Sequence, residues 1–432
     1  MKPTNQKLLT PERLLTIEKP IYGGAFLARD EGKAVFVPLT LPGEQARVRI
    51  VEDKRSHAVA EAEEIVAPSP DRIMAACPHF GVCGGCNYQH ATYEAQLGLK
   101  QAILRETLER AGVGAPERID LLYGEPWGYR NRIRLALDAN GYPGYRGRRS
   151  HDIVPIAECL IAAPLLVRAA LAVGEIMRKL APGARVNEVS LFCDRDEARL
   201  LAGFFSSGAA RFSLEKVCGG LAAQIPQLAS AELSAGGHDG KPGRTVARWG
   251  AESLIYNAAG FGYRVDPGAF FQVNRWLVDE FVDRVTEGQT GSLAWDLFAG
   301  VGLFARRLAG RFGRVVAVES SPASTSALIE NLSGTTASAV KSTTLDFLRR
   351  AQKAQRPDLI VLDPPRAGLD AESGKLLAKV AAPLVVYVSC DPATLARDLR
   401  ALVASGYAIE SLTLADLFPQ TFHLESIVRL RR

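Results

Sequence analysis

Cys390 has the setting of a catalytic nucleophile. It lies in Ser389-Cys390-Asp391-Pro392, directly after the apolar run at 385–389, so we expect it at the C-terminal end of a strand. Folds of the α/β class place their chemistry there. We expect backbone N–H groups at the start of the following helix to favour the thiolate. The alternative is that Cys390 is a small buried residue, as lone cysteines beside strands usually are.

Glu425 is the candidate partner of this thiol. It lies in the segment 422–428, which we predict to be the last strand of the chain. The alternative is a glutamate that is solvated or ion-paired. A thiol and a carboxylate together suit a reaction in which a thiolate adds to a carbon and a base later removes a proton.

Two further motifs indicate a nucleotide-like cofactor. Asp296-Leu-Phe-Ala-Gly-Val-Gly302 follows a predicted strand and opens a helix, and Glu319 ends the next strand, where it can accept both ribose hydroxyls. A nicotinamide cofactor would also fit, but the third glycine of G-x-G-x-x-G is replaced by Ala305. Asp363-Pro-Pro-Arg366 follows a later strand, as in several methyltransferases that act on nucleobases. A purely structural turn at 296–302 is the alternative.

Methylation of carbon 5 of a uridine needs both a thiol and a base. That carbon is too weakly nucleophilic to take a methyl group unaided. Thiolate addition at carbon 6 makes carbon 5 enolate-like, and a base must afterwards remove its proton.

Taken together, the motifs resemble the RNA uracil-5-methyltransferase family over nearly the whole chain. The matching segments are Phe271-Gln272-Val273-Asn274, Asp296 to Gly302, Asp363 to Gly368, Ser389 to Pro392 and His423-Leu424-Glu425-Ser426. The resemblance implies S-adenosylmethionine as the methyl donor, Cys390 as the nucleophile and Glu425 as the base. It implies that the cofactor and the target base are surrounded by Gln272, Phe298, Glu319 and Asp363.

Two positions depart from the pattern of the ribosomal RNA branch. Asp346 stands where an amide is common, and it can still accept a hydrogen bond from the adenine amino group. Leu303 stands where an asparagine is common, and it can make no polar contact.

We predict an α/β protein of three domains. Residues 1–68 form an OB-like β-barrel that resembles the RNA-binding TRAM domain, and 69–255 form a central α+β domain. Residues 256–432 form a Rossmann-like S-adenosylmethionine methyltransferase domain with a doubly wound parallel sheet. Helical spacing of apolar residues predicts helices at 94–111 and 165–180, and 235–243 resembles a surface loop.

A cysteine cluster precedes the first of these helices. Cys77, Cys83 and Cys86 lie within ten residues, and Cys159 can supply a fourth thiolate. Four soft ligands suit a [4Fe–4S] cluster or a zinc ion. The spacing resembles that of the iron–sulfur members of the family, so we expect such a cluster with a structural or RNA-positioning role and no redox step. Cys193 and Cys218 are expected in the core.

Charge patterning gives a mixed indication of RNA binding. Residues 1–67 hold equal numbers of basic and acidic residues, so a basic face there requires local clustering, for instance of Arg47, Arg49, Lys54 and Arg55. The segment 125–152 has six arginines against three acidic residues, interleaved with Trp127, Tyr129, Tyr142 and Tyr145. This mixture suits phosphate contacts and base stacking, and a solvated hairpin is the alternative.

Composition sets the remaining expectations. The chain has 432 residues, a net charge of +5 and 47% hydrophobic residues, as ordinary globular domains do. Without a long apolar run or a signal peptide, we expect a cytoplasmic monomer that does not contact a membrane. The barrel and the cysteine cluster together resemble the branch of the family that acts on large-subunit ribosomal RNA, which implies 23S ribosomal RNA as the partner in preference to transfer RNA. The rival functions are methylation of a base amino group and a non-catalytic role as an RNA chaperone or assembly factor.

Overall fold

The structure is a computed structural model that describes residues 12–180, 186–208, 212–236, 243–251, 253–351 and 356–432. Most of the predicted surface loop at 235–243 lies outside these residues. The chain divides into two compact units: one runs to Leu104 and includes Gln420–His423, and the other comprises Arg105–Pro419 and Leu424–Arg432. The boundaries predicted at 68 and 255 stay predictions.

The first unit contains a closed barrel with the strand order β1-β2-β3-β5-β4, as expected. Alternate residues such as Leu15 and Ile17 are buried in its interior, which is the period-two pattern of a strand with one face in a core. The strands are β1 (Arg13–Pro20), β2 (Ala25–Asp30), β3 (Lys33–Pro38), β4 (Gln45–Asp53) and β5 (His57–Ala67). Helix α1 (Tyr93–Arg110) follows where the helical spacing predicted it.

The basic residues of the barrel do not form an uncompensated face. Arg47 pairs with Glu64, Arg49 pairs with Glu61 and Glu63, and Lys54 pairs with Glu52. The expected local clustering of positive charge is therefore wrong for these three, because glutamates on β5 pair with the two arginines and Glu52 of β4 pairs with Lys54.

The central region of the second unit is a seven-stranded sheet in the order β13-β12-β11-β10-β7-β8-β9. One face packs against α2 (Pro164–Leu180) and α3 (Leu214–Gln224), where Leu135, Leu191 and Val173 join a common core. The strands are β7 (Arg132–Leu137), β8 (Pro143–Arg146), β9 (Ile153–Pro155), β10 (Val186–Cys193), β11 (Leu200–Ser206), β12 (Leu228–Ala235) and β13 (Arg244–Gly250).

The C-terminal region has a sheet in the order β18-β17-β16-β19-β20-β22-β21-β6, preceded by the hairpin β14-β15. The strands are β6 (Asp120–Leu122), β14 (Leu254–Ala258), β15 (Phe261–Val265), β16 (Gly291–Leu297), β17 (Phe312–Glu319), β18 (Ala337–Lys341), β19 (Leu359–Leu362), β20 (Leu384–Ser389), β21 (Ala408–Ala415) and β22 (Glu425–Arg431). The helices are α4 (Val278–Thr286), α5 (Leu303–Leu308), α6 (Pro322–Asn331), α7 (Thr344–Ala351), α8 (Ala371–Val380) and α9 (Pro392–Ala404).

This sheet is not wholly parallel. The five strands β18, β17, β16, β19 and β20 are parallel to one another, as expected for buried apolar runs between helices. Strand β22 runs antiparallel to both of its neighbours, β20 and β21. The sequence patterns predicted a parallel sheet and did not indicate this reversal. It arises because β22 follows β21 without a crossover helix between them, so the chain turns back along its neighbour. The first residue of β22 therefore lies at the edge where the parallel strands end.

No helix within the described residues is long and apolar enough to cross a membrane.

Candidate active site

Strand pairing brings Cys390 and Glu425 together. Ser389 at the end of β20 pairs with Ser426 in β22, and the Ser426 hydroxyl donates to the Ser389 carbonyl at 3.2 Å. Because the two strands are antiparallel, continuing this register by one residue brings Cys390, which follows β20, next to Glu425, the first residue of β22, whose charge acts on the thiol. The two candidates for catalysis, 35 positions apart in sequence, are therefore cross-strand neighbours.

The thiol of Cys390 is not held as a thiolate. Burial raises its pKa to about 12, the carboxylates of Glu425 and Asp363 raise it further, and Arg366 and a backbone hydrogen bond oppose them. The expectation that the helix start favours the thiolate is wrong, for a local reason. Asp391 caps α9 and its side chain accepts the N–H groups of Ala393 and Thr394 at 3.0 and 2.9 Å.

Glu425 is a buried carboxylate with an unused oxygen. It is 5% exposed, and its Oε1 has no hydrogen-bond partner among the described residues. Burial and the neighbouring Asp363 raise its pKa well above the usual range, against the opposing charge of Arg366. A carboxylate in this condition has a high affinity for a proton, which suits a general base.

Asp363 is close enough to Cys390 and Glu425 for its charge to act on both. It follows β19, and its N–H donates to the carbonyl of Leu297 at 3.3 Å, next to Phe298. Burial raises the pKa of Asp363 to about 7. Near neutral pH, Asp363 and Glu425 therefore share less than two full negative charges.

The loop that follows Asp363 is fastened to α9 by residues that the sequence analysis did not single out. Arg397 donates to the carbonyls of Ala367 and Leu369 at 2.9 and 2.8 Å. Asp398 accepts from the N–H of Leu369 at 2.8 Å and from the hydroxyl of Tyr387 at 2.7 Å. In the sequence, Arg397 and Asp398 are only two adjacent charged residues within a helix, which by itself is a weak indication of a role in the site.

The glycine loop after β16 is tied to Glu319. The carboxylate of Glu319 accepts N–H groups from Gly300 at 2.9 Å, Ser320 at 2.7 Å and Ser321 at 2.6 Å. Gly302 has a φ of 92°, and a Cβ there would lie 2.8 Å from the Leu328 side chain, so this position requires glycine. The side chain of Glu319 is thus held in one orientation.

Two other residues give this loop its form. Phe298 adopts a left-handed conformation with a φ of 64°, a strained state that is typical of functional sites. Asp296 is buried and accepts the N–H of Ala305 at 2.8 Å, and burial raises its pKa to about 8. Leu303 is buried in the core, in keeping with an apolar role.

The remaining cofactor candidates differ in their surroundings. Gln272 is 7% exposed, and its carbonyl accepts the side-chain N–H of Asn131 at 2.9 Å. Asp346 lies in the first turn of α7, where it accepts the Thr343 hydroxyl at 2.8 Å and pairs with Arg349. Its side chain is 57% exposed, so its role towards adenine stays a prediction.

The arginine-rich segment is less uniform than its sequence indicated. Tyr129 is fully buried and its hydroxyl donates to the carbonyl of Pro419 at 3.0 Å, so its predicted part in base stacking is wrong. Arg134 pairs with Glu188. Arg146 and Arg149 are exposed in and after β8, as phosphate contacts would require.

The cysteines of the predicted cluster have the chemistry that such a cluster requires. None is disulfide-bonded, and Cys193 and Cys218 are buried as expected. Cys83 accepts the N–H of Gly85 at 3.4 Å, and Cys159 contacts the Tyr145 hydroxyl at 3.9 Å. Such donors support thiolate ligands. Within the described ranges, no group of three or more His, Cys, Asp or Glu is arranged so that it could hold a metal ion.

Comparisons with known proteins identify the family. The family model described as tRNA (Uracil-5-)-methyltransferase matches residues 249–432, and the TRAM domain model matches 11–63. The chain is 33% identical to the 23S rRNA (uracil(1939)-C(5))-methyltransferase RlmD of Chromohalobacter salexigens, over 97% of this chain and 89% of that protein. It is 34% identical to the protein of the same name from Klebsiella pneumoniae, over 95% and 93%.

A solved structure has the same fold. The Pyrococcus abyssi tRNA (uracil-54, C5)-methyltransferase, in complex with S-adenosyl-L-homocysteine, has a TM-score of 0.78 at 24% identity. The match covers 97% of this chain and 100% of that chain. The predicted fold, with a barrel, a central α+β region and a C-terminal Rossmann-like sheet, is confirmed.

The fold and the site define an S-adenosylmethionine-dependent methyltransferase. The chain belongs to the RNA uracil-5-methyltransferase family and carries that family's TRAM domain. It is therefore an enzyme that methylates carbon 5 of uracil in RNA, and the rival functions of amino-group methylation and non-catalytic assembly are set aside. The residues present fit the cofactor, because the buried carboxyl group of Asp363 suits a cationic sulfonium and the carboxylate of Glu319, held by backbone N–H groups, suits a ribose.

Proposed function

We propose that this enzyme methylates a uridine of 23S ribosomal RNA through a covalent bond between Cys390 and carbon 6 of the base. The observation that carries the mechanism is the cross-strand placement of Cys390 opposite Glu425, a buried carboxylate with an unpaired oxygen. The ribosomal target is supported by the names of the full-length relatives. A cytoplasmic monomer is the form in which we propose that it acts.

The first step belongs to Cys390. Its thiol loses its proton and forms a bond to carbon 6 of the uracil, which moves electron density to carbon 5. S-adenosylmethionine supplies the electrophilic methyl group that carbon 5 then takes. Because the pKa of the thiol lies at about 12, its deprotonation must be coupled to substrate binding or to a base.

The second step belongs to Glu425. After methyl transfer, carbon 5 still carries its original proton, and the unpaired Oε1 of Glu425 accepts it. The double bond reforms and the Cys390 thiolate leaves. The raised pKa of Glu425 favours this transfer, since the carboxylate binds a proton more tightly than an exposed glutamate does.

The cofactor and the base are held by the remaining site residues. We assign the ribose hydroxyls to Glu319, and we place Gln272, Phe298 and Asp363 around the cofactor and the uracil. Asp346 is retained as the acceptor for the adenine amino group.

The substrate is tested by mapping 5-methyluridine. Ribosomal and transfer RNA from a deletion strain and its parent are digested and analysed by mass spectrometry. We expect the deletion to lose 5-methyluridine from 23S RNA and to regain it with the intact gene but not with Cys390→Ala. Loss confined to transfer RNA would overturn the ribosomal assignment.

We also propose that Cys77, Cys83, Cys86 and Cys159 ligate a [4Fe–4S] cluster. The proposal is supported by the number and softness of the donors and by the N–H and hydroxyl groups that face Cys83 and Cys159. Such a cluster would have a structural or RNA-positioning role and would take no part in methyl transfer. Protein purified without oxygen should contain about four irons and four sulfides per chain. Stoichiometric zinc without sulfide would contradict the proposal.

A further inference from the structure

The central sheet has one face that no helix of that domain covers. This face lines a cleft of ≈ 660 Å³, here called the sheet-face cleft. Its floor includes Arg132, Phe192 and Phe205, and its opposite wall is formed by 264–268 and by 321–323 at the start of α6. The volume lies within the ~300–1,000 Å³ of sites that bind small organic groups.

Strand register places the floor residues on one face. Arg132 is paired with Phe192 across β7 and β10, and Glu232 is paired with Arg248 across β12 and β13. Residues opposite one another in antiparallel strands share a face. The residues between them, such as Ile133 and Leu191, point to the other face and pack in the core with α2.

The charged groups of the cleft are paired, with one exception. Arg248 pairs with Glu232, and Arg264 pairs with Asp266. Arg132 has no carboxylate partner among the described residues, and its Nε is buried without a hydrogen-bond acceptor. Its guanidinium lies 4.4 Å from the centre of the Phe192 ring.

An arginine in this state is costly to the folded protein. Burial lowers the pKa of Arg132 to about 10, which measures how poorly the site solvates its charge. The stack on Phe192 holds the guanidinium plane but supplies no counter-charge. A bound anion would supply both the charge and the missing acceptors.

The cleft is connected to the active site through a few contacts. Phe192 stacks on Tyr256 with ring centroids 5.9 Å apart, and Tyr256 lies 4.4 Å from Phe271, the neighbour of Gln272. Asn131, next to Arg132, donates to the Gln272 carbonyl at 2.9 Å. The segment 321–323 of the opposite wall begins two residues after Glu319, the residue to which we assign the ribose of the cofactor.

We propose that the sheet-face cleft binds a nucleotide that flanks the target uridine, with Arg132 contacting its phosphate. This inference rests on the proposed RNA substrate. A phosphodiester is the anion that such a substrate brings next to the target base. The planar guanidinium can donate two parallel hydrogen bonds to phosphate oxygens.

The test compares two arginines that both stack on a ring. Arg132→Gln removes the cleft charge, and Arg178→Gln removes an exposed arginine of α2 that lies 4.2 Å from the Tyr142 ring, outside the cleft. Binding of a labelled 23S RNA fragment is measured by fluorescence anisotropy over a range of salt. Binding of S-adenosylmethionine is measured by calorimetry.

We expect Arg132→Gln to weaken RNA binding about tenfold and to lower the slope of log affinity against log salt by about one, since one phosphate contact is lost. The KM for RNA should rise more than kcat falls, and cofactor affinity should stay unchanged. Arg178→Gln should behave as wild type. Unchanged RNA affinity and slope in Arg132→Gln, or a loss of cofactor affinity instead, would overturn the inference.

A second pair of variants tests the cleft independently, in case Arg132→Gln does not fold. Ser326 is exposed on the α6 wall of the cleft, so substitutions there leave the core untouched. Ser326→Glu should weaken RNA binding and Ser326→Lys should strengthen it, and equal affinities would contradict the proposal. If wild-type protein forms no 5-methyluridine, the proposed function fails; if it does and these variants bind normally, only the cleft assignment fails.

Discussion

Glu319 and Glu425 lie at the same edge of one sheet, but their carboxylates have opposite hydrogen-bonding environments. The carboxylate of Glu319 accepts three backbone N–H groups, which fix its position and satisfy its charge. The Oε1 atom of Glu425 has no partner among the described residues, and burial raises the pKa of its carboxyl group. The first glutamate is held in a fixed orientation by the backbone, and the second is placed where it can take up a proton.

Under the proposed assignment, this difference separates cofactor binding by Glu319 from proton transfer by Glu425. Hydrogen bonds to the charged form of a carboxylate stabilise it and make it a fixed acceptor. Burial without such bonds stabilises the protonated form and makes the group a strong base when it is ionised. Substitution of each glutamate by glutamine should therefore have effects of different kinds.

The largest effect is expected for Glu425→Gln. The amide keeps the shape of the side chain but cannot accept the carbon 5 proton, so kcat should fall roughly a thousandfold. Cofactor affinity should be nearly unchanged. Turnover is measured as release of tritium from 5-tritiated uridine in the RNA fragment. A kcat within a few-fold of wild type would show that Glu425 is not the base.

A smaller effect of another kind is expected for Glu319→Gln. The amide lacks the negative charge that, in our assignment, accepts hydrogen bonds from the ribose hydroxyls. It also places an NH2 group, which is a hydrogen-bond donor, against backbone N–H groups that are themselves donors. Affinity for S-adenosylmethionine should fall about tenfold to a hundredfold, since hydrogen bonds to charged groups contribute ~1.5–3 kcal/mol. Calorimetry gives the affinity directly. Loss of turnover with normal cofactor affinity would contradict the division between the two glutamates.

The smallest effects concern the thiol that faces Glu425. The pKa of Cys390 lies at about 12 because of burial and the charges of Glu425 and Asp363, with Arg366 opposing them. In cofactor-free protein, alkylation of Cys390 by iodoacetamide should therefore rise with pH through pH 10, since only the thiolate reacts. Asp363→Asn removes a negative neighbour and should accelerate alkylation at pH 9, whereas Arg366→Gln should slow it.

The control for this measurement is Cys390→Ala, whose residual labelling reports the other cysteines. Equal alkylation rates in the Asp363→Asn and Arg366→Gln variants would mean that these charges do not govern the thiol.

Local patterns in the sequence predicted most of the fold. The helix expected at 94–111 spans Tyr93–Arg110, and the period-two strands of the barrel are where they were expected, because both signals depend on near neighbours. The reversed direction of β22 was not predicted, since it depends on where the chain returns to the sheet.

The sequence indicated which residues to consider for the site, and it was less informative about their electrostatics. Cys390 and Glu425 were chosen from their motifs, but the expectation for the thiol overlooked that Asp391 takes the helix N–H groups. Asp before Pro at a helix start is in fact a common capping pattern, so that signal was available. The burial of Tyr129 and the lack of a partner for Arg132 depend on long-range packing, which periodicity cannot report.

The central claim is that Cys390 acts before methyl transfer and Glu425 after it. The most direct measurement incubates Glu425→Gln with labelled methyl donor and an RNA fragment, then runs a denaturing gel. We predict a protein–RNA band that resists denaturation and carries the methyl label, formed on one uridine that has left its stack, and absent for Cys390→Ala. A band without methyl label, or an adduct that persists in Cys390→Ala, would contradict this order of events.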